Sequence, residues 1–478
     1  MRPFEVYDTL SRSTRRFQPI TPPKVGMFVC GLTPYDDAHI GHGRFAVVFD
    51  MVARALRRWG YRVFYVQNVT NVEDKVIRRG AELGVDPLKL SDRYFRAWRD
   101  AMDRLGVLSV NYYPHATDYL PEILEQVRTL VDRGRAYASE GSVYYSVAGF
   151  PAYGELSGQR TEALRPGARL ELDASKRAPE DFVLWKAATP GEPSWESPWG
   201  PGRPGWHIED TAITVRLLGA RYDIHGGGVD LKFPHHEAEI AQAEGATGQS
   251  PLVNYWMHNG MLTLHGEKMA KSVGNVVGLA ETLDAFGPEV LRFFYLNAHY
   301  RSPLDFVAGK SLEEAREAFA TLAKPAEAIR VAFGRAGETG TAALPDGLRR
   351  EGEALVERLD ATLAEDFRTR EAIALLFSWG RSVGPWLERL DELGSADLAI
   401  LAAPYDWATE VLGFPSGPPA ATDVGPVVEA ALAARARARA RGDFAEADRI
   451  REDLTAAGVA VEDRGGSTRW SAPRRPPS

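Results

Sequence analysis

The sequence predicts an α/β fold: a parallel sheet interrupted by an insertion, then a helical bundle and a small C-terminal region. Three observations carry this. A strand, turn, helix, strand pattern fills the first seventy residues, alternating α and β signals return after residue 205, and helical periodicity dominates from Glu281 onward.

Residues 27–32 form a short apolar run containing β-branched Val29, and Thr33, Pro34 and Asp36 mark a turn. Phe45, Val48, Phe49, Val52, Leu56 and Trp59 then recur on one helical face, Gly60 closes it, and residues 62–66 read as a second buried strand. The unit is βαβ. Its helix starts at the carboxyl edge of the sheet, where backbone N–H groups and the helix dipole favour phosphate. His39 and His42 stand at that start, three residues apart, so both can donate to one anion, and Gly41 lets a nucleotide approach the backbone.

The chain has 478 residues with 44% hydrophobic content, enough for three or four domains. No apolar run of about 18 residues suggests a membrane span, and the N-terminal residues lack the apolar core of a signal peptide, so a cytoplasmic location is expected. A single cysteine, Cys30, rules out an intrachain disulfide. The net charge of −8 excludes a generally basic nucleic-acid coat, leaving RNA contact to local basic patches and giving no reason to expect DNA.

The first sheet half is expected over 1–118 and an insertion over 119–204, with a helix at 120–135, a β-rich stretch at 143–147 and a long segment rich in Gly, Pro and Trp. The second sheet half is expected over 205–310, including a helix from about 234 to 244, and a helical bundle over 311–412. A Pro- and Gly-rich linker at 413–426 precedes a C-terminal region, 427–478, of two helices, a short β-like end at 459–462 and a disordered basic tail.

A second phosphate element is the loop Lys268-Met269-Ala270-Lys271-Ser272, whose two lysines can place point charges on a triphosphate as pyrophosphate leaves. The string His39-Ile40-Gly41-His42 and this lysine loop, in that order, resemble the two signatures of class I aminoacyl-tRNA synthetases. Longer stretches are similar to the cysteinyl-tRNA synthetase family in particular: Cys30-Gly31, Asn68-Val69-Thr70, Asp181 to Lys186, Glu192 to Glu209, Asp223 to Glu239, His299 to Phe306, Asp443 to Arg451 and Thr468 to Trp470.

The resemblance implies a Rossmann-like catalytic domain with an insertion, a helical bundle and a small anticodon-binding-like domain. It implies ATP-dependent activation of cysteine and its transfer to tRNA(Cys), with His39, His42, Lys268 and Lys271 in catalysis. Gly41, Asp230 and Lys271 would then bind ATP, supplied with magnesium, and Thr70, Trp206 and His207 would line the amino-acid pocket. Cysteine must be told from serine, and apolar packing supplies only about 1 to 3 kcal/mol for so small a difference. A zinc ion solves this, because a thiolate binds it far better than a hydroxyl. The family's zinc sits on two cysteines, a histidine and a glutamate, and the matching positions here are Cys30, Asp210, His235 and Glu239.

Asp210 is the departure. A Cys/Asp/His/Glu set keeps the formal ligand charge, while metal affinity and thiol selectivity are both expected to fall. The competing reading is that Asp210 only caps a helix over 211–218. Lys-to-Ser spacing in the loop keeps both lysines, although Ala270 stands where the family usually has serine. Toward tRNA, Arg435, Arg437, Arg439 and Arg441 alternate around a helix, a solvated pattern by default; with Arg469 and Trp470 they could also bind phosphates and stack a base. Two other functions fit the motifs less completely: a ligase passing the adenylate to a small amine, as in mycothiol synthesis, and an RNA-binding relic without catalysis. A monomer is expected.

Overall fold

The computed structural model describes residues 1–159, 174–268, 276–414, 425–440, 444–456, 460–464 and 467–471. A hairpin of β1 (Glu5–Asp8) and β2 (Ser13–Arg16) precedes β3 (Lys24–Leu32), α1 (Ile40–Arg58) and β4 (Arg62–Val69), followed by α2 (Asp74–Leu83) and α3 (Pro87–Arg104). Next come α4 (Leu120–Asp132) and four strands, β5 (Ala136–Ser139), β6 (Ser142–Tyr145), β7 (Phe182–Ala187) and β8 (Gly202–Pro204), which pair antiparallel in that order. Then follow α5 (Ile208–Leu218), β9 (Tyr222–Gly228), α6 (Glu237–Thr247), β10 (Val253–Asn259), β11 (Leu262–Leu264) and β12 (Glu267–Lys268).

After these come α7 (Leu279–Phe286), α8 (Pro288–Leu296) and β13 (Leu304–Phe306). The helical part consists of α9 (Ser311–Phe333), α10 (Asp346–Leu363), α11 (Thr369–Val383) and α12 (Ser395–Trp407). The chain divides into two compact units, Met1–Ser416 and Gly417–Ser478. The second holds α13 (Gly425–Ala440), α14 (Phe444–Ala456), β14 (Ala460–Arg464) and β15 (Ser467–Ser471). β15 corrects the expected structureless end: Trp470 pairs with Val461 and Thr468 with Asp463 in an antiparallel ladder. The Gly465-Gly466 step between two β-prone runs was a hairpin signal in the sequence.

The central sheet runs β10-β9-β3-β4, all parallel. Chain order reverses beside β3, which makes the carboxyl ends of β3 and β9 the crevice where a ligand is expected. β3 alternates from Val25 to Cys30, ahead of a register shift that turns Leu32 into the first of its two cores. Val25, Met27 and Val29 enter the core shared with α1, α8 and the helical part, whereas Phe28 and Cys30 enter the core shared with α4, α5, α6 and the inserted sheet. That parity aims the Cys30 side chain at α5 and α6.

Candidate functional site

At the start of α1 the two histidines cap the helix reciprocally. His39 is the N-cap, and its Nδ1 accepts from the Gly41 N–H at 3.1 Å, while the His42 Nδ1 accepts from the His39 N–H at 3.2 Å. The rings stack at 3.7 Å between centroids. With both Nδ1 atoms accepting, each neutral ring carries its proton on Nε2, so the donors a phosphate oxygen requires are set by the backbone. Gly41 is needed for a reason the sequence did not show: a Cβ there would lie 2.9 Å from the His39 ring.

The lysine loop is anchored at both ends. On the entry side, β12 pairs with β11, Lys268 opposite Thr263, and Asp305 accepts from the Thr263 hydroxyl (2.7 Å) and the Gly266 N–H (2.8 Å). On the exit side, Gly278 bridges His39, the Ile40 N–H donates to the Val277 carbonyl at 3.0 Å, and the Leu279 N–H to the Ala38 carbonyl at 2.9 Å. The residues leaving the loop are therefore hydrogen-bonded directly to the histidine turn. Residues 269–275, with Lys271 among them, lie outside the described residues, as does the side chain of Lys268.

Beyond β3, Cys30 stands in a fully buried cluster. Its Sγ lies 3.6 Å from Asp210 Oδ2 and 3.7 Å from Glu239 Oε1, and His235 Nε2 lies 3.0 Å from Asp210 Oδ2 and 2.9 Å from Glu239 Oε1. All four residues matched to the family's ligands thus converge. Two local expectations change. Asp210 is not a helix cap, because α5 begins at Ile208 with His207 in the capping position, which puts Asp210 in the first turn facing Cys30. The helix expected from 234 begins at Glu237; Phe233 is extended, and His235 sits in a wide turn over Lys232–His236 that still swings it onto Glu239. The Asp210 carboxylate also accepts from Asn68 Nδ2, which in turn donates to the Thr70 hydroxyl at 3.3 Å.

Burial and the Glu239 and Asp210 carboxylates push the Cys30 thiol well above its ordinary range. Burial pushes the Glu239 carboxyl up to about 7 against the pull of His235. Burial opposes charge on His235 too, but Glu239 and Asp210 outweigh it and raise the imidazole to about 10. The Cys30 thiol, the His235 imidazole and, in part, the Glu239 carboxyl thus hold protons that a cation would displace. As a fit test, four ligands at about 2.0 to 2.3 Å in a tetrahedron stand about 3.3 to 3.6 Å apart. The observed separations bracket that range, so the donor set fits a zinc-like ion.

Thr70 is buried beside Asn68, and Trp206 stacks on His235 at 4.2 Å between centroids. His207 Nδ1 lies 2.7 Å from His235 Nδ1. Thr70 thus reaches the cluster through Asn68 and Asp210, and Trp206 and His207 reach it through His235. Asp230 lies in the turn after β9, at the carboxyl edge of the sheet and exposed. In the second unit Arg439 is exposed and Arg435 buried, while Arg469 and Trp470 are placed on β15 by their backbone. Three further histidines meet at this cluster, none of them given a role from the sequence. His225 Nε2 and His236 Nε2 lie 3.3 and 3.2 Å from Cys30 Sγ, and His258 stands behind His236. The available signals were the His235-His236 doublet and a histidine directly before Gly226-Gly227-Gly228.

Residues 16–317 match the family described as tRNA synthetases class I (C) catalytic domain, and residues 421–470 match the cysteinyl-tRNA ligase anticodon binding domain. A cysteine–tRNA ligase of Alkalilimnicola ehrlichii is 46% identical over 471 residues, covering 97% of this chain and 99% of the relative. One of Methylococcus capsulatus is 46% identical over 476 residues, covering 98% and 99%. Among solved structures, Mycobacterium tuberculosis methionyl-tRNA synthetase bound by methionyl-adenylate superimposes with a TM-score of 0.63 at 15% identity, over 82% of this chain and 92% of that one, a likeness of fold.

Proposed function

The chain belongs to the cysteine–tRNA ligase family, and from that premise we propose how its residues divide the work. The reaction is ATP-dependent activation of cysteine followed by its transfer to tRNA(Cys). A cysteine carboxylate oxygen attacks the α-phosphorus of magnesium-bound ATP, the bond to the β-phosphate oxygen breaks, and pyrophosphate leaves. A terminal ribose hydroxyl of tRNA(Cys) then attacks the carbonyl carbon of the adenylate, and AMP departs.

In this reading His39 and His42 donate Nε2–H to the phosphate oxygens that gain charge in the first step. Lys268 and Lys271 neutralise the departing pyrophosphate, and Gly41 and Asp230 seat the nucleotide. Such steps need positioning and charge stabilisation more than proton transfer by the protein. The observation that carries the reading is the hydrogen-bonded contact of Val277, Gly278 and Leu279 with Ala38, His39 and Ile40, which ties the lysine loop's exit to the histidine turn.

Thr70, Trp206 and His207 would surround the amino acid, and Cys30, Asp210, His235 and Glu239 would hold a zinc ion at its thiol. When bound, zinc supplies a centre that prefers thiolate over hydroxyl. The domain limits proposed are 1–118 and 205–310 for the catalytic halves, 119–204 for the insertion, 311–412 for the bundle, 413–426 for the linker and 427–478 for tRNA contact. The boundary at 416/417 between the two compact units supports the linker. Arg439, Arg469 and Trp470 are the proposed tRNA contacts, while Arg435 is buried. No helix among the described residues is long and apolar enough to cross a membrane. A cytoplasmic monomer belongs to the same reading.

Amino-acid-dependent pyrophosphate exchange with a panel including cysteine and serine, with and without zinc, followed by charging of tRNA(Cys), tests it. Exchange with cysteine plus charging is expected. Exchange without charging would point to a small-amine acceptor, and absence of exchange to a relic. The match of residues 421–470 to an anticodon-binding family weighs against the first, and the presence of His39, His42, Lys268 and Lys271 against the second.

A further inference from the structure

Cys30 and Glu239 belong to two donor sets. On the pocket side they are joined by Asp210 and His235; on the inner side, by His225 and His236. The Glu239 carboxylate divides between them, Oε1 toward His235 at 2.9 Å and Oε2 toward His225 Nε2 at 3.4 Å. One ion can draw on Cys30 and Glu239 from either side. Resting on the reading above that the chain carries zinc, we infer that in the amino-acid-free protein the ion occupies the inner set, Cys30, His225, His236 and Glu239.

Three observations point inward. The first is chemical: with Asp210 in place of a thiolate, the pocket-side set offers one sulfur, one nitrogen and two oxygens, whereas the inner set offers one sulfur, two nitrogens and one oxygen. Zinc favours sulfur and imidazole nitrogen over carboxylate oxygen for a closed site. The second is spacing. His235 Nε2 stands 3.0 and 2.9 Å from the two pocket-side carboxylates, hydrogen-bond lengths shorter than a tetrahedral edge. On the inner side the two imidazoles stand 3.2 and 3.3 Å from Cys30 Sγ and His225 stands 3.4 Å from Glu239, all longer than those pairs, while the Cys30–Glu239 edge of 3.7 Å is common to both sets.

The third is the support behind the imidazoles. A metal-bound histidine usually donates its remote N–H to a fixed partner. Here His225 Nδ1 is 2.7 Å from the Tyr222 hydroxyl, and His236 Nδ1 is 2.8 Å from His258 Nε2. His258 Nδ1 in turn lies 2.8 Å from the Thr9 hydroxyl. Trp256 stacks on His225 at 4.3 Å and closes the inner side. Both nitrogens that face Cys30 are thereby oriented before any ion arrives.

X-ray absorption at the zinc edge of the zinc-loaded full chain, without amino acid, counts the ligands directly. One sulfur and two imidazoles per zinc are expected. In Asp210→Cys, which restores a soft pocket-side set, the count is expected to change to two sulfurs and one imidazole. His225→Gln and His236→Gln are each expected to remove one imidazole from the spectrum and to weaken zinc binding at least about tenfold. Circular dichroism of each variant checks that it has folded. A single imidazole per zinc in the unsubstituted chain overturns the inner placement while leaving zinc binding intact. A chain that takes up no zinc overturns both this placement and the zinc reading beneath it.

Discussion

Asp210 is where this chain departs from its family's ligand pattern, and its surroundings show how a carboxylate is kept in a buried place. Asn68 holds one oxygen, and His235 approaches the other at 3.0 Å. An isolated buried carboxylate would cost several kcal/mol, and these partners offset that. Because the Cys30 thiol is pushed well above its usual range by burial and by Glu239 and Asp210, it keeps its proton at pH 7 until a metal displaces it. The sign follows: metal binding releases at least one proton, so zinc affinity rises with pH, by about tenfold per unit for each proton released. Titrating metal-free protein with zinc in weak buffer containing a pH indicator measures this, and proton-neutral uptake would contradict it. Gly41→Ala would place a Cβ 2.9 Å from the His39 ring. Cysteine-dependent pyrophosphate exchange is expected to fall at least about tenfold, because a displaced donor no longer meets the charge that develops on phosphate. Little change in melting temperature is expected, since Gly41 is only part-buried at a helix start.

Among the elements, α1 does two jobs. Its N-terminal turn carries the histidines, and two residues after His42 the buried Arg44 donates to the carbonyls of Gly260 and Met261, each at 2.8 Å, and of Ser302 at 2.6 Å. These carbonyls flank β11 and β13, the strands on which the lysine loop's entry is built. Arg44→Met would remove that donor from all three carbonyls; Gly260 keeps the Asn259 amide and Met261 the Leu304 N–H, so the Ser302 carbonyl bears the loss. A loss of about 1 to 3 kcal/mol in urea unfolding is expected, with a raised KM for ATP. Unchanged stability would show that the clamp is dispensable. The βαβ unit itself was legible because β3, α1 and β4 follow strong local rules: apolar runs, a 3.6-residue stripe and a glycine stop. The start of α6 was read one turn early: Pro234 explains the extended Phe233 before it, but the wide turn over Lys232–His236 that delays the helix to Glu237 leaves no local mark. Likewise α5 starts three residues before Thr211, where the competing reading made Asp210 a cap. There the burial of Ile208, Glu209 and Asp210 overrides cap preference.

On the scale of the whole molecule, the first unit is welded to its helical part through α8 and the end of α12. Arg292, fully buried, donates to Asp50 Oδ2 at 2.9 Å, to the Leu412 carbonyl at 2.8 Å and to the Leu105 and Gly106 carbonyls. The core there runs without a break from the sheet to α12. A chain ended at residue 414 keeps that core, so it is expected to retain cysteine-dependent pyrophosphate exchange while charging of tRNA(Cys) falls by at least about a hundredfold. Loss of exchange as well would mean that the second unit is needed for activation. Taken by itself, the sequence determined the family, because its motifs are written in contiguous strings, and through that resemblance it named four residues, Cys30, Asp210, His235 and Glu239, that gather in one cluster. Only the tertiary structure decided that His225 and His236 close on Cys30 from behind, that the histidine turn is hydrogen-bonded to the lysine loop's exit, and that Asp210 faces the thiol. Those relations join residues far apart in the chain, through the parity of β3 and the meeting of α5 with α6, and no local pattern records which distant side chain will fill the space opposite.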